Sequence, residues 1–318
     1  MIQTERYDFV DIAKGIGIIL VVWSHMSTTA ELTDFFKWGG YMTTFYMPLF
    51  FILSGLFYRP SNMKKRLKQL LVPYIVFYVL AYLDYMVKCI LKQENIEWNN
   101  FLVPFLGGTI GYRNSPIWFL LSLSQVSVLA VIFVKYMNKI VALPFSLLLA
   151  FAASYSKLYF SHIPYYMDVS LVCFPFFLIG YYYREEILHR LNAVSACILV
   201  VLSAILYILS PEFTNVSQNY LPQGYVLFFM VSVMASLGII GFCKYIHGKV
   251  SLLLQFFGKN SLIILCSHMM FITLGSIHIP YVPTFIMNIL GLVTILGVEY
   301  FIIRSINKHS GWMLGRSN

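Results

Sequence analysis

The first apolar run of the chain, YDFVDIAKGIGIILVVWSHM, contains three ionisable side chains that could do chemistry: Asp11, Lys14 and His25. Ionisable residues inside a membrane span are costly and mark functional sites by default. Lys14 and His25 are eleven residues apart, which places them on one helix face, about 16.5 Å apart along the axis. Histidine titrates near neutral pH, so we predict that His25 acts as a general base.

Each of these residues also has a structural explanation. Asp11 and Lys14 lie three residues apart and are equally explained as an ion pair at the membrane boundary. His25 could be a buried, hydrogen-bonded residue of the helix bundle. Gly15 and Gly17 thin the same helix, so they would allow another helix or a ligand to come close.

Further polar residues lie inside other apolar runs. His268, within NSLIILCSHMM, could be a second histidine of the site or a hydrogen bond between packed helices. Glu299, near the inner end of the last run, could form an ion pair with Lys14. Asp84 and Lys88 have the i,i+4 spacing of a helical ion pair.

A cluster of cations follows the second apolar run, in YRPSNMKKRLKQLLVPY. Arg59, Lys64, Lys65 and Arg66 could bind the phosphates of an anionic nucleotide beside the membrane. The alternative is that they only anchor the loop at the cytoplasmic face or contact anionic lipids.

The composition requires lipid as solvent for the elements that position these residues. The chain has 318 residues, of which 59% are hydrophobic and 11% are charged, whereas soluble domains have about 25% charged residues. A membrane-spanning helix needs about 20 mostly apolar residues. About ten such runs predict an all-α, polytopic membrane helix bundle that forms one domain over residues 1–318: 9–29, 40–58, 70–91, 117–135, 139–156, 166–183, 193–210, 222–243, 259–277 and 283–303.

The distribution of basic residues predicts the orientation of this bundle. If the amino terminus is cytoplasmic, sixteen Lys and Arg residues fall in cytoplasmic segments and four in external ones. This asymmetry predicts that both termini are cytoplasmic. It also explains the net charge of +9 more simply than nucleic-acid binding, which we do not expect. The five cysteines form no CxxC pair, so we expect neither a disulfide framework nor a metal site.

Several segments taken together resemble the integral-membrane acyltransferase 3 family, in particular its sugar O-acetylase branch of fucose 4-O-acetylase-like proteins. The similar segments are RYDFVDIAKGIGIILVVWSHM, FYMPLFFILSGLFYRP, KKRLKQLLVPY, PIWFLLSL, FFLIGYYYRE and GKNSLIILCSHMM. They cover most of the chain in order. Ser54 and Trp118 lie within them and become further candidates for the site.

The resemblance implies transfer of an acyl group, usually acetyl from acetyl-CoA, to hydroxyls of cell-surface glycans. The family's basic residue and histidine, separated by ten residues, correspond to Lys14 and His25, although many members have arginine at the first position. Lysine lacks the bidentate fork of arginine. Close relatives often carry a histidine where this chain has Tyr46.

The sequence therefore predicts a multi-pass O-acyltransferase of the plasma or inner membrane, with an acyl-CoA donor and a glycan or lipid-linked sugar acceptor. His25 would be the base, aided by Lys14 and Asp11, with direct acyl transfer favoured over a covalent acyl-serine at Ser24 or Ser54. A succinyl donor stays open, as do the sugar and the oligomeric state. The alternatives are a flippase for a lipid-linked glycan and a subunit of a polysaccharide export machine.

Overall fold

A computed structural model describes residues 7–26, 33–106, 114–160, 163–275, 282 and 284–316. Within these ranges the chain is helical, and its β-structure is limited to one isolated bridge between Asn215 and Tyr220. Twelve α-helices follow in order: α1 Asp8–Met26, α2 Thr33–Leu56, α3 Met63–Lys92, α4 Asn99–Leu102, α5 Trp118–Tyr136, α6 Lys139–Ser154, α7 Met167–Tyr182, α8 Ala193–Leu209, α9 Tyr225–Cys243, α10 Gly248–Lys259, α11 Ser261–Phe271 and α12 Thr284–His309.

The prediction of an all-α membrane bundle is confirmed. Among the described residues, seven helices are long and apolar enough to cross a membrane, and α10 with α11 would make an eighth if this bent pair is one span. Shorter apolar helices occupy Gly40–Leu56 and Ala193–Leu209. Each of the ten predicted runs overlaps one of these helices, while the count of ten spans and the side of the termini stay predictions.

Helix α10 lies where the sequence predicted a cytoplasmic loop. Its 12 residues are too few to span a bilayer, which takes about 20. Its polar positions, including Lys249, Ser251 and Gln255, lower its hydropathy further. A bend of 80° separates it from α11. The element is therefore a short amphipathic helix that turns into the next apolar one, and hydropathy alone does not detect it.

Glycines bring two pairs of helices into backbone contact. A Cβ atom at Gly15 of α1 would overlap the carbonyl oxygen of Leu254 in α10, and one at Gly258 of α10 would overlap that of Asp11. In the second pair, a Cβ atom at Gly55 of α2 would overlap backbone atoms of α7, and one at Gly180 of α7 would overlap backbone atoms of α2. Small residues permit such close packing of helices in membranes. The expectation that Gly15 admits another helix is confirmed, and the partner is α10.

We expect Gly15→Ala to lower the thermal stability of the purified protein in detergent. The added methyl group must push α1 away from α10, and overpacking of this kind costs about 1–3 kcal/mol. Gly297→Ala in α12 is the matched control, because a Cβ atom there meets nothing within 4 Å. Equal melting temperatures for the two variants would show that the contact between α1 and α10 is looser than described.

We expect a reporter fused after Asn318 to read cytoplasmic and one inserted near Asn99 to read external. The physical reason is the unequal distribution of Lys and Arg between the two sets of loops. An external signal at the carboxyl terminus would show that the predicted number of spans is wrong by one.

Candidate functional site

Two cavities lie along α1. The first, of about 430 Å³, surrounds Asp11 and Lys14, and we call it the cationic cavity because Arg66, Lys259 and Arg316 also line it. The second, of about 670 Å³, surrounds His25, and we call it the histidine cavity. Both volumes fall within the range of about 300–1,000 Å³ that is typical of small-molecule sites.

The two cavities follow each other along the same helices. On α1, Ile18 lines the cationic cavity and Val21 lines the histidine cavity. On α5, Phe119 lines the cationic cavity and its neighbour Trp118 lines the histidine cavity. Leu265 of α11 lines both cavities. One layer of apolar side chains therefore separates the two cavities.

The hydrogen bond of His25 determines which ring nitrogen is available for chemistry. Its Nδ1 atom lies 2.7 Å from the carbonyl oxygen of Val21. A carbonyl oxygen can only accept, so Nδ1 carries the hydrogen and Nε2 carries the lone pair. His25 lines the histidine cavity, and its Nε2 atom is the one that can accept a proton there.

His268 packs directly against His25. The two ring centroids are 5.2 Å apart, with the rings at 67° in an edge-to-face arrangement. His268 is fully buried, and its Nδ1 atom donates to the carbonyl oxygen of Ile264 at 2.7 Å. Its Nε2 atom has no hydrogen-bond partner among the described residues. His268 does not belong to the lining of either cavity, so its place is behind His25 rather than beside a substrate.

The surroundings of Ser24 bear on the acyl-serine alternative. Ser24 Oγ lies 3.5 Å from His25 Nδ1 and donates to the carbonyl oxygen of Val21 at 2.8 Å. Because Nδ1 already carries a hydrogen, it is not a base for this serine. The Tyr46 hydroxyl lies 3.2 Å from Ser24 Oγ and lines the same cavity. Ser54 lines the cationic cavity instead, away from His25.

Aromatic side chains form one wall of the histidine cavity. Trp118 is buried and its ring centroid lies 6.1 Å from that of Tyr166. Tyr165 and Tyr166 both have left-handed backbone angles, with φ of 58° and 57°. This conformation costs about 1–3 kcal/mol for each such residue and clusters at functional sites. The turn before α7 is thus held in a strained form that brings Tyr166 beside Trp118.

Lys14 and Asp11 contact each other in the cationic cavity. Lys14 Nζ lies 3.9 Å from Asp11 Oδ1, so the ion pair anticipated from the sequence is present at the edge of the distance range. Asp11 is mostly buried, whereas the Lys14 side chain is 32% exposed. Within the described part of the chain, the cavity thus keeps a net positive charge, with four basic residues against one acidic one.

The structure separates Arg66 from the other cations of its cluster. Arg66 is partly buried, donates through Nε to Ser127 Oγ at 2.7 Å, and lies over the rings of Tyr58 and Phe177. Its buried Nη2 atom has no partner within the described part of the chain. This guanidinium is therefore held in place with one donor group unused.

The neighbouring cations Arg59, Lys64 and Lys65 are exposed and do not line the cationic cavity. Glu299 also lies outside both cavities. It is buried in α12 and accepts a hydrogen bond from Ser267, whose Oγ atom lies 2.8 Å from each carboxylate oxygen. Within the described residues no ion pair joins Glu299 to Lys14, so the structure does not support the pairing that the sequence suggested. Asp84 and Lys88 do pair, at 2.7 Å.

Several lining residues were not singled out in the sequence. Lys259 joins the cationic cavity because α10 folds back on α1, and Arg316 joins it because the preceding Gly315 lies beside α3. Asp168 and six consecutive residues of one loop, 213–218, line the histidine cavity. Asp168 had a usable signal, since it is a carboxylate inside an apolar run. The loop 213–218 had no such signal in the sequence, because its position depends on tertiary contacts.

No group of three or more His, Cys, Asp or Glu side chains that could hold a metal ion comes together in the described ranges. The expectation that the protein uses no metal stays a prediction.

The described residues thus form a helical membrane bundle with a histidine in one cavity and a net positive charge in the adjoining one. The acyltransferase 3 family, described as an acyltransferase domain, matches residues 7–304. The chain belongs to this family and is a membrane acyltransferase. Searches among curated proteins and among solved structures gave no match.

Proposed function

We propose that the protein transfers an acetyl group from acetyl-CoA to a sugar hydroxyl of a cell-surface or lipid-linked glycan, in the sugar O-acetylase branch of the family. The observation that carries this proposal is the pair of adjoining cavities, one cationic and one containing a histidine base. We place the enzyme in the plasma or inner membrane, because acyl-CoA is made inside the cell whereas surface glycans are finished outside.

The cationic cavity suits the phosphates of the donor. Arg66 offers an unused, buried Nη2 donor, and guanidinium groups bind phosphate oxygens with strong, charge-assisted hydrogen bonds. Lys14, Lys259 and Arg316 add positive charge around it. With the nucleotide held there, the pantetheine arm would extend past Leu265 and bring the thioester towards His25.

The transfer step in this proposal uses the Nε2 atom of His25. The acceptor hydroxyl loses its proton to Nε2 while its oxygen attacks the thioester carbonyl carbon. A new C–O ester bond forms and the C–S bond breaks. The leaving thiolate then takes the proton from His25, so His25 is neutral again and the products are the acylated sugar and CoA. The protonated Nδ1 keeps its bond to Val21 throughout.

We expect His25→Ala to lower the rate of acetyl transfer by about 10²–10⁴-fold, the usual contribution of a general base, with near-normal thermal stability. His189→Ala is the matched control, because His189 is exposed and pairs with Glu185. His268→Ala should give a smaller loss, since His268 positions the ring of His25 without contacting substrate. The measurement is transfer of labelled acetyl from acetyl-CoA by purified protein.

Two results would count against this proposal in different ways. Turnover of His25→Ala within a few-fold of the unmodified protein would remove His25 as the base. Absence of any acetyl transfer by the unmodified protein, to any glycan, would instead favour a flippase or an export subunit.

We expect Arg66→Gln to raise the KM for acetyl-CoA by about tenfold or more, because a hydrogen bond between charged groups would be lost. The KM of Arg66→Lys should lie between those of the unmodified protein and Arg66→Gln. Lysine keeps the positive charge but lacks the bidentate donor geometry of the guanidinium group. The double variant Lys64→Gln/Lys65→Gln is the control, with exposed charges on the same helix. If the double variant raised KM more than Arg66→Gln, the donor would bind at the membrane surface rather than in the cationic cavity.

A further inference from the structure

The histidine cavity has polar lining residues that the transfer step does not use. Asp168, in the first turn of α7, lines it and is largely buried. The loop residues 213–218 and Lys157 line the same cavity. The base, His25, and the aromatic residues Trp118 and Tyr166 line it as well.

Asp168 is held by hydrogen bonds to one of its two oxygens. Its Oδ2 atom accepts from Asn219 Nδ2 at 3.1 Å and from Ser156 Oγ at 3.3 Å. No hydrogen bond from the described residues reaches its Oδ1 atom. An ionised carboxylate has about four acceptor sites, so Asp168 keeps capacity to accept from a ligand while its position is fixed.

Asn219 connects this carboxylate to the loop. It has left-handed backbone angles, which asparagine tolerates, and its Nδ2 atom also donates to the carbonyl oxygen of Ala153 at 2.9 Å. At the other end of the loop, Thr214 Oγ1 lies 3.2 Å from Thr44 Oγ1 of α2. The loop is thus fastened at both ends, with residues 213–218 facing the histidine cavity.

The charges of the two cavities differ in a way that bears on the acceptor. Among the described residues, the cationic cavity has four basic residues and one acidic residue, whereas the histidine cavity has one of each, Lys157 and Asp168. A carboxylate attracts hydroxyl groups, which donate to it, and repels a negatively charged ligand. Aromatic walls and a few placed polar groups are typical of sites for small polar organic ligands.

We propose that Asp168 anchors the acceptor, and that the acceptor is a neutral sugar unit whose hydroxyls donate to the Asp168 carboxylate while a different hydroxyl faces His25. The aromatic pair Trp118 and Tyr166 packs against the sugar ring, and the loop 213–218 determines which sugar fits. This assignment rests on the proposed function for the identity of the reaction, but acceptor binding does not depend on acyl transfer and is measured separately.

The test measures binding of methyl glycosides to the purified, full-length protein through its tryptophan fluorescence. The neutral probes are the methyl glycosides of glucose, galactose, mannose and fucose, and the anionic probes are those of glucuronic and galacturonic acid. At least one neutral glycoside should bind, and the glucuronide and galacturonide should bind at least tenfold more weakly than it does.

Asp168→Asn should weaken binding of the neutral glycoside by about 10- to 100-fold, the effect of losing a hydrogen bond to a charged group. The KM for acetyl-CoA should stay unchanged. Asparagine is isosteric, and its oxygen can still accept from Asn219 and Ser156. Asp84→Asn, which removes an exposed carboxylate from α3, is the matched control.

Three outcomes would overturn the assignment: equal glycoside affinity in Asp168→Asn, tighter binding of the uronic acid glycosides, or no glycoside binding at all. The preference between neutral and anionic glycosides is measured on the unmodified protein. It therefore tests the assignment of a neutral acceptor even if Asp168→Asn does not fold. If glycosides bind in a way that depends on Asp168 but no acetyl transfer is observed, the acceptor site is supported and the proposed acetyl transfer is contradicted.

Discussion

The rigid rise of α1 is the constraint on which the two cavities depend. Because Lys14 and His25 belong to one helix, the separation between the cationic group and the base is fixed at about 16.5 Å along its axis. The backbone contact of Gly15 with α10 holds that helix in place and brings Lys259 to the same cavity. Any motion of α1 would shift both cavities together, which keeps their spacing constant while their neighbours adapt.

The buried polar groups around α1 are satisfied locally, in the way that a membrane interior demands. His25 and His268 each donate to the carbonyl oxygen four residues earlier in their own helix, and Ser267 supplies a hydrogen bond to Glu299. Unsatisfied groups are expensive in such surroundings. A few buried donors and acceptors have no partner among the described residues, such as Arg66 Nη2 and His268 Nε2, and they are the exceptions to this rule.

The sequence predicts the helices well because each span needs a run of about 20 apolar residues that is visible without tertiary information. It fails for α10, whose amphipathic pattern acquires meaning only against α1. The sequence does not distinguish Arg66 from its neighbours Lys64 and Lys65. Only the rotation of α3 within the bundle directs Arg66, and not the two lysines, towards the cavity. His25 could be identified from its position within a span. The loop 213–218 could not, since Asn219 and Thr214 place it through contacts with α2, α6 and α7.

The layer between the cavities bears on what would cross the membrane in the proposed reaction. Ile18, Val21, Phe119 and Leu265 are apolar, so this layer opposes the passage of phosphates or of a hydrated sugar. A flippase would need polar groups along the whole path of its substrate. In the proposed reaction only the uncharged end of the donor would pass the layer, while the phosphates would stay beside the cations and the sugar hydroxyls beside Asp168. The distribution of polarity along α1 and α11 therefore favours transfer of an acyl group over transport of the glycan itself.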